Sequence, residues 1–256
     1  MNKKFISCIL LWFIIIALVF IIFKFYMQKE DTNITNEINE NTKSENLVEK
    51  ENFDGVDKLY YLWHASLRIT TNEGKVIYID PYMWDNYDLD ADLVLITHGH
   101  FDHNDLSKVK NRADDFQIIT YEDAIVNWEH LTFDLGYAKI ISVEAWYNRN
   151  HDREKCVWYV LEFTDWIKIY VPWDTSITPQ MEEIGTWNID YAFIPCDWYY
   201  TMSLDEAAEA AKLVNAKHTI PYHMTSNWEA FDESVANQFD AENKLIVKPN
   251  TEITLK

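Results

Sequence analysis

Glycine is scarce in this chain, with five in 256 residues. Most turns must therefore be built from residues that carry side chains, which restricts the backbone shapes open to them. Cysteine is scarcer still. Cys8, Cys156 and Cys196 are too few for a disulfide framework. Cys8 falls in an apolar N-terminal run. The other two fall in strand-like segments where buried free thiols are the default, with a Cys156–Cys196 bridge left open for an oxidising compartment. Basic residues are outnumbered, 22 against 42 acidic ones, for a formal net charge of −20. So acidic a chain lacks the electrostatic footprint of a nucleic-acid binder, and no such partner is expected. Internal repeats are absent too.

What is present is apolar and aromatic. A hydrophobic content of 48% and an aromatic content of 15% fill a core and argue against disorder over most of the length. From Phe5 to Phe23 there is no charge, and at about 1.5 Å per residue this run nearly matches a ~30 Å hydrocarbon core. No small-x-small cleavage site follows, so residues 1–27 read as an uncleaved transmembrane helix rather than a signal peptide. Lys3 and Lys4 before the run, against Lys24 and Lys29 after it, give a weak bias towards an extracytoplasmic domain on a single-pass anchor. Residues 28–55, rich in Asn, Glu, Thr and Lys, read as a flexible polar linker. A folded domain is expected over 56–256.

Within that domain, "KLYYLWHASLRITT" and "KVIYIDPY" read as paired strands around the turn "NEG". "ADLVLITH" reads as a buried strand and "EDAIVNWEHL" as a short helix. "AKIISVEAW", "CVWYVLEFT", "WIKIYVPWD", "IDYAFIPCD" and "HTIPYH" are further strands. "SLDEAAEAAKLVNA" carries a capping box at Ser203 and Glu206 and is the strongest helix, and "WEAFDESVANQF" reads as another. Strands mixed with helices over about 200 residues make one α/β domain.

The chemistry concentrates in "THGHFDH". His98 and His100 are two apart, which puts both on one side of extended backbone, and Gly99 between them permits close approach of the chain. Asp102 and His103 follow where the chain turns. Directly after a buried strand, this spacing lets one loop serve two neighbouring metal ions. Taken alone, His151 in "NRNHDRE" reads as a surface histidine, His223 as packing or ligand in equal measure, and Asp174 after "VPW" as a turn cap.

The motif resembles the His-x-His-x-Asp-His signature of the metallo-β-lactamase superfamily. "WHASLRI" followed by "YIDPY" is similar to that family's opening strands. "VEAWYNRNHDREKCVWYVLEF", "IKIYVPWDTSITPQM" and "IDYAFIPCDWYYTMSLDEAAEAAKLVNAKHTIPYH" resemble the branch that includes L-ascorbate-6-phosphate lactonase. The likeness runs from about Leu59 to Lys256. It implies a four-layer αββα sandwich and two divalent metal ions, Zn²⁺ first, with Mn²⁺ and Fe²⁺ also admitted by imidazole and carboxylate ligands. His98, His100 and His151 would hold one ion, Asp102, His103 and His223 the other, and Asp174 would bridge them. His64 would support a ligand or line the pocket, against the plain reading of a packed polar residue, and Asp80 would orient a ligand histidine rather than bind metal. Tyr147 and Tyr200 are candidate donors to substrate, while His130 and His218 read as structural. Two departures stand out: the glycine usual before the bridging aspartate is Trp173, and a usual glycine pair is Asp197 and Trp198. Pocket-lining turns should be bulkier than the family's, which bears on the substrate and not on the ligand set.

Two divalent cations, the two aspartates Asp102 and Asp174, and a hydroxide would leave a centre of about +1, which lowers the pKa of bound water towards ~7. The expected reaction is attack of a metal-bound hydroxide on a small ester, lactone or phosphodiester, with anionic substrates favoured. A phospholipase-type phosphodiesterase acting on membrane lipids is one alternative, and a non-catalytic tethered metal-binding module is another. Nothing in the sequence fixes the oligomeric state.

Overall fold

The computed structural model describes residues 55–145, 148, 151–224 and 231–256. Two six-stranded sheets dominate it. The first contains β1 (Lys58–Trp63), β2 (Ser66–Thr70), β3 (Val76–Ile79), β4 (Ala91–Leu95), β5 (Arg112–Ile119) and β14 (Thr251–Thr254), in the order β14-β1-β2-β3-β4-β5. The second contains β8 (Thr132–Asp134), β9 (Ala138–Glu144), β10 (Val157–Phe163), β11 (Lys168–Val171), β12 (Tyr191–Pro195) and β13 (His218–Tyr222), in the order β13-β12-β11-β10-β9-β8. β3, β4 and β5 run parallel, as do β11, β12 and β13; the other pairings are antiparallel. All described residues belong to one compact unit, Phe53–Lys256.

Period-two alternation explains how the first sheet is buried on both faces. Leu93 and Leu95 of β4 enter the main core, shared with Ile140, Val160, Ile169 and Phe193 of the second sheet. Val94 and Ile96 point the other way, into a smaller cluster with Tyr78, Tyr87 and Val109. Each fully buried aliphatic or aromatic side chain contributes roughly 1.5–3 kcal/mol of transfer free energy. The second sheet is covered by helix. In α3 (Leu204–Val214) the buried Ala207, Ala210, Ala211 and Val214 follow helical spacing, and the helix packs on β12. Ser203 caps it by accepting the Glu206 N–H at 3.2 Å, and Asn215 ends it in a left-handed conformation.

The two-sheet sandwich is the architecture the resemblance implied. Its outer cover differs between the sheets: among the described residues, the free face of the first sheet is roofed by the irregular segments flanking β4, through Tyr87, Leu89, Leu106 and Val109. "EDAIVNWEHL" is not one helix. After α1 (Tyr121–Ala124) the chain becomes a small hairpin of β6 (Ile125–Val126) and β7 (Glu129–His130), turned by Asn127 and Trp128 at φ 52° and 72°. The β-branched pair Ile125–Val126 and a left-handed asparagine favour that hairpin over a continued helix. Among the described residues the remaining α-helices are α2 (Gln180–Ile184) and α4 (Glu233–Gln238), the latter capped by Asp232. Cys156 and Cys196 are free and buried.

The membrane location read from the N-terminal run is overturned. Among the described residues, no helix is long and apolar enough to cross a membrane. The longest, α3, has 11 residues, about 16 Å against a ~30 Å core. The apolar run itself and the linker up to residue 54 lie outside the described residues.

Candidate metal centre

Parallel strands bring their carboxyl ends to one edge, where ligands gather in open α/β sheets. β3 ends at Asp80, β4 leads into Thr97 to His103, β11 leads to Asp174, β12 to Asp197 and β13 to His223. The two sheets are stitched together at this edge: His98 bridges to Cys156, and the Val157 N–H donates to the Thr97 carbonyl at 2.9 Å. One loop of the first sheet thereby meets three strand ends of the second.

His98, His103, His151 and His223 each have a polar partner at Nδ1, which presents Nε2 to a common centre. His98 Nδ1 faces Thr97 Oγ1 at 3.0 Å, and that hydroxyl donates to Asp80 Oδ2 at 2.5 Å, so His98 Nδ1 is the protonated nitrogen. His103 Nδ1 donates to Asp80 Oδ2 at 2.8 Å. His151 Nδ1 donates to Asn148 Oδ1 at 2.8 Å, because the Asn148 amide nitrogen is committed to the Asp174 and Tyr200 carbonyls. His223 Nδ1 lies 3.0 Å from Asp197 Oδ2. Such carboxylate and amide partners are what orient metal-binding imidazoles.

Asp174 sits between the rings. Its Oδ2 is 3.2 Å from His151 Nε2, 3.7 Å from His103 Nε2 and 3.9 Å from His98 Nε2; its Oδ1 is 3.1 Å from His223 Nε2. His98, His100, His151 and Asp174 offer ligand atoms within 4.8 Å of one another, as do His64, His103 and His223. Asp102 Oδ2 stands 3.9 Å from both His64 Nε2 and His103 Nε2. Nε2 of His103, His151 and His223 and Oδ1 of Asp174 are buried yet make no hydrogen bond among the described residues. Buried polar atoms left this way cost free energy unless something binds them, and divalent cations fit this donor set of imidazole and carboxylate.

Electrostatics follow the packing. Burial pushes the His98 and His64 pKa values well below the usual histidine range, which keeps their lone pairs available. Burial lowers that of His103 too, but the Asp174 and Asp80 carboxylates outweigh it and raise it to about 9. Burial would raise Asp174, yet His223 and His103 hold it well below the carboxylate range. Backbone strain concentrates here as well: His64, Asp80 and His223 have φ of 49°, 45° and 42°, a region costly for residues with a Cβ and typical of functional sites.

All seven residues expected to ligate metal, and His64 and Asp80 with them, therefore lie at one edge. His64 stands closer than a pocket-lining role suggested, its ring 3.8 Å from that of His223. Tyr200 takes part through its backbone, donating its N–H to Asp197 Oδ1 and accepting from Asn148. Tyr147 lies outside the described residues. His130 is in the β6–β7 hairpin and His218 stacks on Tyr191. Sequence reasoning missed Asp197, Asn148 and Thr97 as orienting groups. Asp197 had a signal, since it stands where a glycine was expected.

The profile of the β-lactamase superfamily domain matches residues 58–223. A UPF0173 metal-dependent hydrolase of Rubrobacter xylanophilus is 31% identical over 198 residues, covering 66% of this chain and 82% of that protein. One from Anoxybacillus flavithermus is 33% identical, covering 65% and 85%. Among solved structures, a candidate metal-dependent hydrolase from Parabacteroides distasonis superposes with a TM-score of 0.61 at 26% identity, covering 74% of this chain and 91% of that one. A candidate Zn-dependent hydrolase of the metallo-β-lactamase superfamily from Thermotoga maritima gives 0.52 at 28%, covering 72% and 87%. A fold of two sheets, a histidine- and aspartate-lined edge and these relatives together make the chain a metal-dependent hydrolase of the metallo-β-lactamase superfamily.

Proposed function

We propose that the protein is a binuclear hydrolase that cleaves a small ester, lactone or phosphodiester carrying negative charge near the scissile bond. The observation that carries this reading is Asp174, which lies between the two histidine sets, with Oδ2 nearest His151 at 3.2 Å and Oδ1 nearest His223 at 3.1 Å. His98, His100, His151 and Asp174 would hold one ion; Asp102, His103, His223 and Asp174 the other. Bound divalent ions, Zn²⁺ by this ligand set, supply a Lewis acid and lower the pKa of water. The chain's own groups do the rest. Asp80, Asn148 and Asp197 fix three ring orientations. His100 is exposed and Asp102 half-buried while the other ligands are buried, so substrate enters over Gly99 to Asp102. Asp102, partly exposed on that open side, is placed to hold the proton that an attacking water gives up. The likeness to the lactonase branch supports a lactone among the substrates.

Metal analysis of the purified chain tests the reading. About two ions per chain are expected, and Asp174→Ala should lose at least one of them along with hydrolysis, while His130→Ala keeps both. One ion in the wild type, or identical behaviour of the two variants, sinks the binuclear assignment.

A further inference from the structure

Apolar surface is unevenly placed on this molecule. Of nine large hydrophobic side chains exposed among the described residues, six sit on loops that carry site residues: Met83, Trp84, Phe101, Trp198, Tyr199 and Tyr200. Phe101, 67% exposed, lies between His100 and Asp102 in the motif. Trp84, 54% exposed, packs edge-on against Trp63, the neighbour of His64, at 5.1 Å. Trp198, 72% exposed, follows Asp197, whose other oxygen faces His223.

These side chains are exposed on loops whose backbones are held. Asp197 Oδ1 accepts the N–H groups of Tyr199, Tyr200 and Thr201 at 2.9, 2.8 and 3.0 Å, and the Trp198 N–H donates to the Met202 carbonyl at 2.9 Å. Tyr87 ties down the other loop through both backbone groups of Tyr82. Met83, Trp84 and Trp198 have φ of 33°, 59° and 62°. Residues with large side chains avoid that region, and strain of this kind persists where the surroundings impose it at functional sites. Exposed aromatics on backbones held in this way are binding surface, because little backbone entropy is lost when a ligand covers them.

The charge of the same loops narrows the ligand. Residues 81–90, 99–105 and 197–203 contain no Lys or Arg; Asp90 adds negative charge beside the rim, while Asp85 and Asp88 are paired with Lys108 at 3.7 Å and Arg68 at 2.7 Å. An anionic body would gain no counter-charge from the loops themselves, so what extends over the rim is not anionic.

We propose that the Asp197–Tyr200 loop, with Met83, Trp84 and Phe101, forms a rim that takes an aromatic, non-anionic body of the substrate whose scissile group lies at the metal centre. The proposal rests on the hydrolytic reading in its second half only. Asp197 is the positioning residue that links the two: one carboxylate sets His223 and presents the rim. Aromatic surfaces contribute a preference of tenfold or more for a stackable ligand over a methyl group.

Two inert anions test this on the Zn²⁺-loaded full chain by titration calorimetry: phenylphosphonate and methylphosphonate. The phenyl compound should bind on the order of tenfold tighter or better. Trp198→Ala should bring the ratio close to one, and Trp198→Phe should keep it. Trp166→Ala should keep it too, because Trp166 sits in the turn before β11, at the opposite end of that strand from Asp174. Equal affinities in the wild type, binding of neither anion, or a ratio unmoved in Trp198→Ala overturns the rim. A chain that shows the preference yet hydrolyses no ester supports the rim while overturning the hydrolytic assignment.

Discussion

Both oxygens of Asp80 are engaged in one cluster. Oδ1 accepts the Thr97 N–H at 2.8 Å, and Oδ2 accepts the Thr97 hydroxyl and His103 Nδ1. An amide in its place would aim an N–H donor at one of these donors. Asp80→Asn should therefore weaken metal affinity by roughly 10–100-fold, as loss of an orienting partner does. Competition against a chromogenic chelator measures it, and unchanged affinity would mean that packing alone orients His103. Far from the centre, Asp57 is wholly buried, with Oδ1 accepting the Asn72 N–H at 2.6 Å. Burial lifts its carboxyl to about 7; the Asn72 bond opposes this, and Asp165 and Glu73 add to the rise. An unfolded aspartate titrates near ~3.9. The folded state thus binds the extra proton, so stability is full below about pH 4 and is lost as pH rises to about 7. Asp57→Asn should raise the melting temperature relative to wild type more at pH 8 than at pH 4.5, by on the order of 1–3 kcal/mol of differential stability. An equal effect at both values would refute the buried-carboxyl account.

At the scale of elements, α2 and α3 touch through Gly185. A Cβ there would come within 2.2 Å of the Leu213 carbonyl oxygen, and backbone cannot swing aside as a flexible side chain can. Gly185→Ala should destabilise the domain by about 1–3 kcal/mol in a denaturant titration while metal content stays unchanged. An unaltered midpoint would show that the helix pair slides freely. Elements also mark how much the sequence disclosed. β4 and the motif after it were legible because an apolar run ends abruptly in ligand residues. β5, "RADDFQII", was not, since it is a charged edge strand with little burial and no alternation to read. The orienting role of Asp197 was hidden for a different reason. It depends on β12 pairing in parallel with β13, Pro195 opposite Tyr222, which sets Asp197 beside His223 from far along the chain.

For the whole molecule, the proposed ligands divide between the sheets: His98, His100, Asp102 and His103 come from the first, and His151, Asp174 and His223 from the second. Metal bound across them links the two halves of the core and favours the folded state by mass action, about 2.7 kcal/mol when free metal is a hundredfold above Kd. Chelation should lower the melting temperature by several degrees, readmitted Zn²⁺ should restore it, and Asp174→Ala should respond to neither. A melting temperature indifferent to chelator would mean that the sheets hold together without help from the centre.

The pairing of β14 with β1, Lys58 opposite Thr254, has a kinetic side. The strand that closes the first sheet is made almost a whole domain later than the strand it joins. Closing so long a loop adds little to the equilibrium cost, about 0.6 kcal/mol per doubling of length, but contacts this distant in sequence slow folding. On the ribosome, β1 therefore stays open along one edge until the final strand emerges. A chain stalled before Thr251 would offer that edge to any neighbouring strand, its own kind included.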